Sequence, residues 1–310
     1  MTECERFIDE GRFDADFFNP EMRCDFLVTR KMKKIWAVQI DLFLQFERVC
    51  ARHGLKYFAA GGTLLGACRH NGYIPWDDDM DIYLPRPDYM KLQECADEFE
   101  DPYFLQMPGR DEDYFYSFSK LRNSRTTQAS ATFSHRAFNQ GVCIDIIPLD
   151  KWTTKKGEAA FNRINEINID NSNYLRQGMM NPSAKDLERI RAWSGTPPAE
   201  NLQEIDRLAT QFNEMRAPKI ITAAVTTLYP HDTIQFPAKA FESARKFPFE
   251  NIEMTVPIGY ESILTTQYGD WRRLPPANKR GAWHSSLLID PDVPYRQFLD
   301  DYRKSNGKIH

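Results

Sequence analysis

The segment GGTLLGACRHNGYIPWDDDMDI at residues 61–82 guides the interpretation of the whole sequence, because it joins a glycine pair to a dense acidic cluster. An apolar run at 55–60 reads as a strand before the glycines, and a helix pattern follows them. Thr63 is predicted to cap that helix, since its hydroxyl can accept from an early backbone N–H. Four aspartates then fall within five residues. Like charges so close repel one another, so the segment predicts a bound positive group.

Asp79 and Asp81 lie two residues apart in a predicted strand over 78–84, so their side chains project from one face. Two carboxylates at that spacing can converge on one divalent cation, which prefers oxygen ligands and often bridges to phosphates. Asp145 is the candidate third acid, because it is a lone charge in the apolar strand GVCIDIIPLD at 141–150. A buried carboxylate without a partner is costly, so Asp145 is expected to face a cation or a donor.

The glycine pair Gly61 and Gly62 provides the second half of the predicted site. Glycine lets the backbone approach a ligand closely, and the start of a helix presents N–H groups that attract phosphate. A phosphate on the glycine turn and a metal on the aspartates together predict phosphoryl transfer. Arg69, Lys120 and Arg122 are candidates to add positive charge at the phosphates.

Each signal also has an ordinary interpretation: a simple turn, a solvated acidic surface, or a strand aspartate satisfied by a backbone donor. A calcium loop counted from Asp77 is disfavoured, because Ile82 replaces the glycine at position 6 and Asp88 replaces the glutamate at position 12. Lone histidines are commonly structural. Aromatic residues near the site belong to the core or surround a quaternary ammonium group. The histidines are His70, His135 and His284, and the aromatic residues are Tyr73, Trp76, Tyr114, Phe115 and Tyr116.

Bulk properties limit the class of protein. The chain has 310 residues, of which 42% are hydrophobic, and this allows one large domain or two of ordinary size. Its net charge of −4 gives no indication of nucleic-acid binding. Six cysteines without zinc-like spacing, and no apolar targeting segment, favour free thiols in the cytoplasm. No apolar run approaches the ~20 residues of a membrane span, and peripheral association at the inner face of the membrane stays open.

The order of patterns predicts an α+β fold, in which a mixed β-sheet core is flanked by helices. Residues 1–150 are expected to form the catalytic core with an irregular N-terminal extension at 1–29. A polar, helical insertion is predicted at 151–238, and residues 239–310 are expected to complete the core. Within the core, helix 31–52 and a strand at 114–122 are further predictions.

Several blocks in the same order closely resemble the LicD family, which includes bacterial phosphocholine transferases and the fukutin-related proteins. The first, LLGACRHNGYIPWDDDMDIYLPRPDY, is long and specific. The shorter blocks are FSKLRNSRTT at 118–127, GVCIDIIPLD, and VPIGYESILTTQYGDWRRLPP followed by His284. The resemblance covers roughly 35–150 and 240–285, and it implies a divergent nucleotidyltransferase-like fold that binds a metal–nucleotide complex.

The resemblance also implies a reaction and its residues. Family members move a phospho-alcohol, such as phosphocholine, from a CDP-linked donor such as CDP-choline to a hydroxyl of a glycan or lipid-linked glycan, releasing CMP. Gly61 and Gly62 match the glycine turn, and Asp79 and Asp81 match the paired ligands of Mg²⁺ or Mn²⁺. Asp145 matches the third acid, either as a ligand or as the base for the acceptor hydroxyl.

On this hypothesis Gly62 and Thr63 support the donor phosphate. Lys120, Arg122 and Arg69 neutralise the pyrophosphate, and the insertion is the expected acceptor-binding region. Two alternatives stay open: transfer of NMP from an NTP, which would release pyrophosphate, and a non-catalytic nucleotide- or glycan-binding module.

Overall fold

The structure is a computed structural model, and it describes residues 2–111, 113–226, 231–281 and 287–306. His284 therefore lies outside the described residues. The helices are α1 (Glu3–Asp9), α2 (Arg30–His53), α3 (Gly61–His70), α4 (Arg86–Glu94), α5 (Thr154–Tyr174), α6 (Ala184–Arg191), α7 (Pro198–Thr210), α8 (Tyr260–Tyr268) and α9 (Tyr295–Asn306). The strands are β1 (Glu21–Arg23), β2 (Phe26–Val28), β3 (Phe58–Ala59), β4 (Asp81–Pro85), β5 (Tyr103–Gln106), β6 (Ser119–Asn123), β7 (Thr127–Ser130), β8 (Val142–Trp152), β9 (Ile220–Thr222), β10 (Gln235–Pro237), β11 (Ala244–Phe249), β12 (Ile252–Pro257) and β13 (Leu287–Asp290).

The long strand β8 organises a seven-stranded mixed sheet. Strand β4 pairs with it in parallel, whereas β6 and β9 pair with it antiparallel. Strands β3, β5 and β10 extend the sheet beyond β4, β6 and β9. Both faces of β8 are covered, so side chains on either face are buried, among them Val142, Cys143, Ile144 and Ile146. A central strand of this kind reads as a nearly continuous apolar run.

Helix α2 is the main support of the sheet. Its apolar positions recur with the helical period, and Trp36, Ile40 and Phe43 are completely buried. The Thr29 hydroxyl accepts from the Met32 N–H at its start, and Gly54, with a φ of 64°, ends it in the left-handed region. The helix predicted at 31–52 is therefore confirmed.

Several local predictions were wrong for identifiable reasons. Helix α3 begins at Gly61 after Ala60, so Thr63 lies inside the helix and does not cap it. Residues 114–118 are irregular instead of extended, because the Tyr114 hydroxyl donates to the Phe118 carbonyl and the aromatic side chains cluster there. The segment 1–29 contains α1 and the β1–β2 hairpin.

The range 151–238 contains helices α5, α6 and α7, but it also contributes two strands to the main sheet. Strand β9 pairs with the end of β8, and β10 pairs with β9. Short strands of three residues are weak sequence signals, and the surrounding helical pattern hides them.

The predicted α+β class, with a mixed sheet flanked by helices, is confirmed. The β11–β12 hairpin and α8 contact β3, α3 and β10, so the C-terminal segment joins the same core.

All six cysteines carry free thiols. Within the described ranges, none of the helices combines the length and apolar character needed to cross a bilayer.

Candidate functional site

The acidic run forms a turn that leads directly into the sheet. Residues 77–79 precede β4, which begins at Asp81. Strand β4 lies beside β8 in parallel register, with Asp81 opposite Asp145, and the Asp145 N–H donates to the Met80 carbonyl at 2.8 Å. Neighbouring strands are separated by about 4.8 Å, so this register brings the two acids side by side on the sheet.

Two side chains of α2 hold the acidic turn from behind. The Trp36 indole Nε1 donates to the Asp77 carbonyl at 3.0 Å. The buried Gln39 amide donates to the Asp78 carbonyl at 2.9 Å and lies 3.4 Å from the Cys143 carbonyl on β8. Gln39 thereby connects the acidic turn to the strand that carries the third acid. Gln39 was not among the residues predicted for the site, although a polar residue on the apolar face of α2 was an available signal.

The carboxylates of this group crowd one another. Burial raises the pKa of Asp81 well above its usual range, and the charges of Asp79 and Asp145 raise it further, while Lys120 opposes them. Burial likewise raises the pKa of Asp77, and the charge and hydrogen bond of Asp79 add to that effect. Such a group is stabilised when a cation enters it.

Asp77 is an acid that the sequence analysis did not assign to the site. Asp77, Asp78 and Asp79 each offer an oxygen, and these oxygens lie within 4.8 Å of one another. The alternation of Asp77, Asp79 and Asp81 was a sequence signal for it. Oxygen ligands in this number and charge suit a hard divalent cation such as Mg²⁺ or Mn²⁺, so the residues present fit the metal that the family resemblance implies.

The glycine pair is required by the close approach of two carboxylates. A Cβ added to Gly62 would lie 2.5 Å from Asp77 Oδ2, and one added to Gly61 would lie 3.1 Å from Asp81 Oδ2. Gly61 also has a φ of 45°, which disfavours larger residues. The start of α3, where backbone N–H groups have no helical partner, therefore lies against the acidic group.

Two predicted cations lie in the same cavity as two of the acids. The cavity has a volume of about 80 Å³, and Asp79, Lys120, Arg122 and Asp145 contribute to its wall. Lys120 Nζ lies 2.5 Å from Asp145 Oδ1. Burial alone would lower the pKa of Lys120, but Asp145, Cys143 and Tyr116 together outweigh that effect and raise the pKa. Arg122 donates to the Gln106 side chain at 2.6 Å and the Gly141 carbonyl at 2.7 Å.

The structure does not bring Arg69 to this group, and it brings the Thr63 hydroxyl to the backbone of Asp81. Arg69 lies at the opposite end of α3 from the glycines, about 12 Å along the axis, and donates to the Trp271 carbonyl at 2.8 Å. The Thr63 side chain is buried and its Oγ1 accepts from the Asp81 N–H at 2.8 Å. Thr63 thus supports the backbone of an acid, and its role at a donor phosphate stays a prediction.

Of the other candidate residues, some have structural contacts and one lies at the site. His70 accepts from Arg69 Nε at 2.9 Å, and burial lowers its pKa to about 4. The buried Tyr73 ring stacks on Trp36 at 4.7 Å and belongs to the core. Tyr116, by contrast, lines the acidic cavity.

Comparison with known protein families matches the part of the chain that carries these acids and glycines. Residues 54–163 match the model of the LicD/FKTN/FKRP family, nucleotidyltransferase domain. A 55-residue segment is 44% identical to lipopolysaccharide cholinephosphotransferase LicD of Haemophilus influenzae, covering 18% of this chain and 21% of that protein. An uncharacterized protein of Rickettsia prowazekii is 47% identical over 60 residues, 19% of this chain and 23% of the relative. The matched segment thus spans about a fifth of the length of each of these relatives.

Proposed function

This chain carries a LicD-family nucleotidyltransferase domain, and from that premise we propose that it is a metal-dependent phospho-alcohol transferase. It moves phosphocholine or a similar group from a CDP-linked donor to a hydroxyl of a glycan or lipid-linked glycan, and it releases CMP. The observation that carries the proposal is the meeting of Asp81 and Asp145 in register beside Asp79 and the glycine turn. The free thiols suit the reducing cytoplasm, which we propose as its location.

Asp79 and Asp81 would hold Mg²⁺ or Mn²⁺, with Asp77 in reach as a further ligand. The bound ion would neutralise charge on the donor pyrophosphate. Lys120 and Arg122 add fixed positive charge in the same cavity, and the hydrogen bonds of Arg122 to Gln106 and Gly141 keep its guanidinium in place. Fixed charges of this kind stabilise a transferring phosphoryl group without reorganising during the reaction.

The transfer forms one bond and breaks one. The acceptor oxygen bonds to the phosphorus that carries the alcohol, and the bond from that phosphorus to the bridging oxygen breaks. The bonding electron pair leaves with CMP, and the hydroxyl proton passes to Asp145 or to solvent. Lys120 holds Asp145 Oδ1, which leaves the second carboxylate oxygen to complete the ligand set or accept that proton.

The test is product analysis with a matched pair of variants. The full chain is incubated with CDP-choline, CDP-ribitol and CDP-glycerol in the presence of Mg²⁺, and CMP release is measured. Asp79→Asn should lower the rate at least about 100-fold, because a ligand charge is lost at the phosphoryl site. Asp97→Asn alters an exposed aspartate outside the site and should leave the rate unchanged.

Three outcomes would contradict the proposal. Full activity of Asp79→Asn would remove the metal site from the reaction. Release of pyrophosphate from an NTP, without CMP release from any CDP-alcohol, would favour NMP transfer. The absence of metal-dependent binding of every CDP-alcohol would favour a non-catalytic module.

A further inference from the structure

A second cavity, which we call the side cavity, adjoins the acidic one. Its volume is about 280 Å³, and it lies between the segment 115–118, helix α5 and the turn at residues 224–226. Tyr116 and Phe133 line both cavities. Because the two cavities share these side chains, a molecule in the side cavity would be separated from Asp145 and Lys120 by the rings of Tyr116 and Phe133.

The wall of the side cavity is aromatic and polar, and it carries little charge. Phe115, Phe118 and Phe133 provide ring surfaces, and hydroxyl and amide groups stand between them, from Ser130, Thr132, Asn168 and Ser172. The described residues that line it include no carboxylate. Among the described lining residues the one cation is Arg176, which bonds to Asp186 at 3.2 Å and to the Ser172 hydroxyl at 2.9 Å.

This lining suits a quaternary ammonium group less well than a neutral sugar. Such a group binds to open aromatic faces, and here Lys120 Nζ already lies 4.5 Å from the centre of the Tyr116 ring and 5.1 Å from that of Phe118. Arg176 adds a second positive charge to the wall. A neutral sugar ring suits it well, since its C–H faces pack on aromatic rings and its hydroxyls bond to short polar side chains.

The wall of the side cavity comes from two parts of the chain, since residues 115–118 and 130–133 lie inside the family-matched range and the rest lie outside it. The acids and glycines of the proposed donor site lie within residues 54–163, which match the family model. Asn168 and Ser172 on α5, Arg176 in the turn that follows it, and Thr226 in the turn at 224–226 lie beyond that range. An acceptor must place its hydroxyl beside the reacting phosphorus, and the side cavity is the neighbouring space for it.

We propose that the side cavity binds the neutral sugar ring of the acceptor, and this inference rests on the proposed function. Phe115 and Phe133 form the stacking surfaces, and Thr132, Asn168 and Ser172 bond to ring hydroxyls. The hydroxyl that is modified points past Tyr116 toward Asp145. The phospho-alcohol and the nucleoside of the donor bind outside this cavity.

Binding of simple neutral sugars to the full chain tests the assignment. Saturation-transfer NMR is recorded with methyl β-glucoside, methyl β-galactoside and methyl N-acetyl-β-glucosaminide, and separately with CMP and choline. Thr132→Trp fills the cavity from a partly exposed turn and should weaken glycoside binding at least 10-fold while CMP binding persists. Ala131→Trp adds the same bulk at the neighbouring exposed position, outside the lining, and should change neither. Phe133→Ala should weaken glycoside binding without filling the space.

The outcomes separate this inference from the proposed function. Glycosides that fail to bind the wild type, or that bind Thr132→Trp as well as wild type, would overturn the inference. Loss of CMP or choline binding in Thr132→Trp would assign the cavity to the donor and overturn it as well. If no CDP-alcohol yields CMP but glycoside binding still depends on Thr132, the proposed reaction fails and the sugar cavity stands.

Discussion

Carboxylates in two regions of this molecule have opposite surroundings. Asp150 is fully buried and accepts two hydrogen bonds from Arg86, at 2.8 and 2.6 Å, with a third from Asn213. Asp77 and Asp81 lie against other carboxylates, and none of the described arginines or lysines forms an ion pair with either. An arginine therefore balances the charge of Asp150, whereas no described arginine or lysine forms such a pair with these two acids at the glycine turn. That contrast separates an acid that stabilises the fold from the acids that we propose bind a cation.

The largest expected effect is on the structural side of this contrast. Asp150→Asn removes the charge that balances Arg86, and breaking a buried pair in this way costs about 3–5 kcal/mol of unfolding free energy. Asp81→Asn should leave the metal-free stability unchanged or slightly higher, because it removes a repelling charge. Urea unfolding of both variants measures the difference. Equal destabilisation by the two substitutions would erase the distinction.

The second prediction concerns catalytic activity, on which Asp81→Asn should have a large effect although its effect on stability is small. Asp81→Asn should lower CMP release at least about 100-fold, equivalent to about 2.7 kcal/mol of transition-state stabilisation. Circular dichroism and the urea midpoint should stay at wild-type values. A variant that keeps its rate within twofold would show that Asp81 is not a ligand in the reaction.

A third prediction concerns metal binding in the absence of any substrate. Mg²⁺ at 100 times its dissociation constant should stabilise the wild type by about 2.7 kcal/mol, because it binds the folded state. The thermal midpoint should rise accordingly, and much less for Asp81→Asn. Potassium chloride at equal ionic strength is the control. An identical rise in both proteins would indicate general screening instead of a site.

The smallest effect on activity is expected for Gln39, whose side chain supports the segment that carries the acids. Gln39→Leu removes the amide that joins the Asp78 carbonyl to β8, and about a 10-fold loss of CMP release is expected, as for other residues that orient ligands. Gln45→Leu on the same helix is the matched control, since its side chain contacts Arg48 at the surface. Unchanged Mg²⁺ affinity and rate in Gln39→Leu would contradict the positioning role.

Sequence patterns predicted the helices and strands whose apolar residues recur with a regular period. Helix α2 and strand β8 follow from their runs of apolar residues, and the alternation in 78–84 places Met80, Ile82 and Leu84 in the core as observed. The neighbouring positions of Asp81 and Asp145 were inferred from charge in an apolar strand. Whether these acids bind metal stays a prediction.

What the sequence could not reveal are contacts between distant segments. Arg69 follows the glycines closely in sequence, but a helix carries its guanidinium to the other end of α3. The Thr63 hydroxyl could equally have capped its own helix, and only the position of β4 shows that it accepts from Asp81. Trp36 and Gln39 act across about forty positions, a relation that no local pattern encodes.

The dependence on α2 has a consequence for how this protein can be divided. Residues 54–163 bear the family match, yet the helix that buries against β8 and holds the acidic turn precedes them. Excised alone, that segment would expose the apolar surface that Trp36, Ile40 and Phe43 cover, and its acids would lose their backbone anchor. We therefore expect that residues 54–163 do not fold on their own, and fragment studies should begin upstream of Thr29.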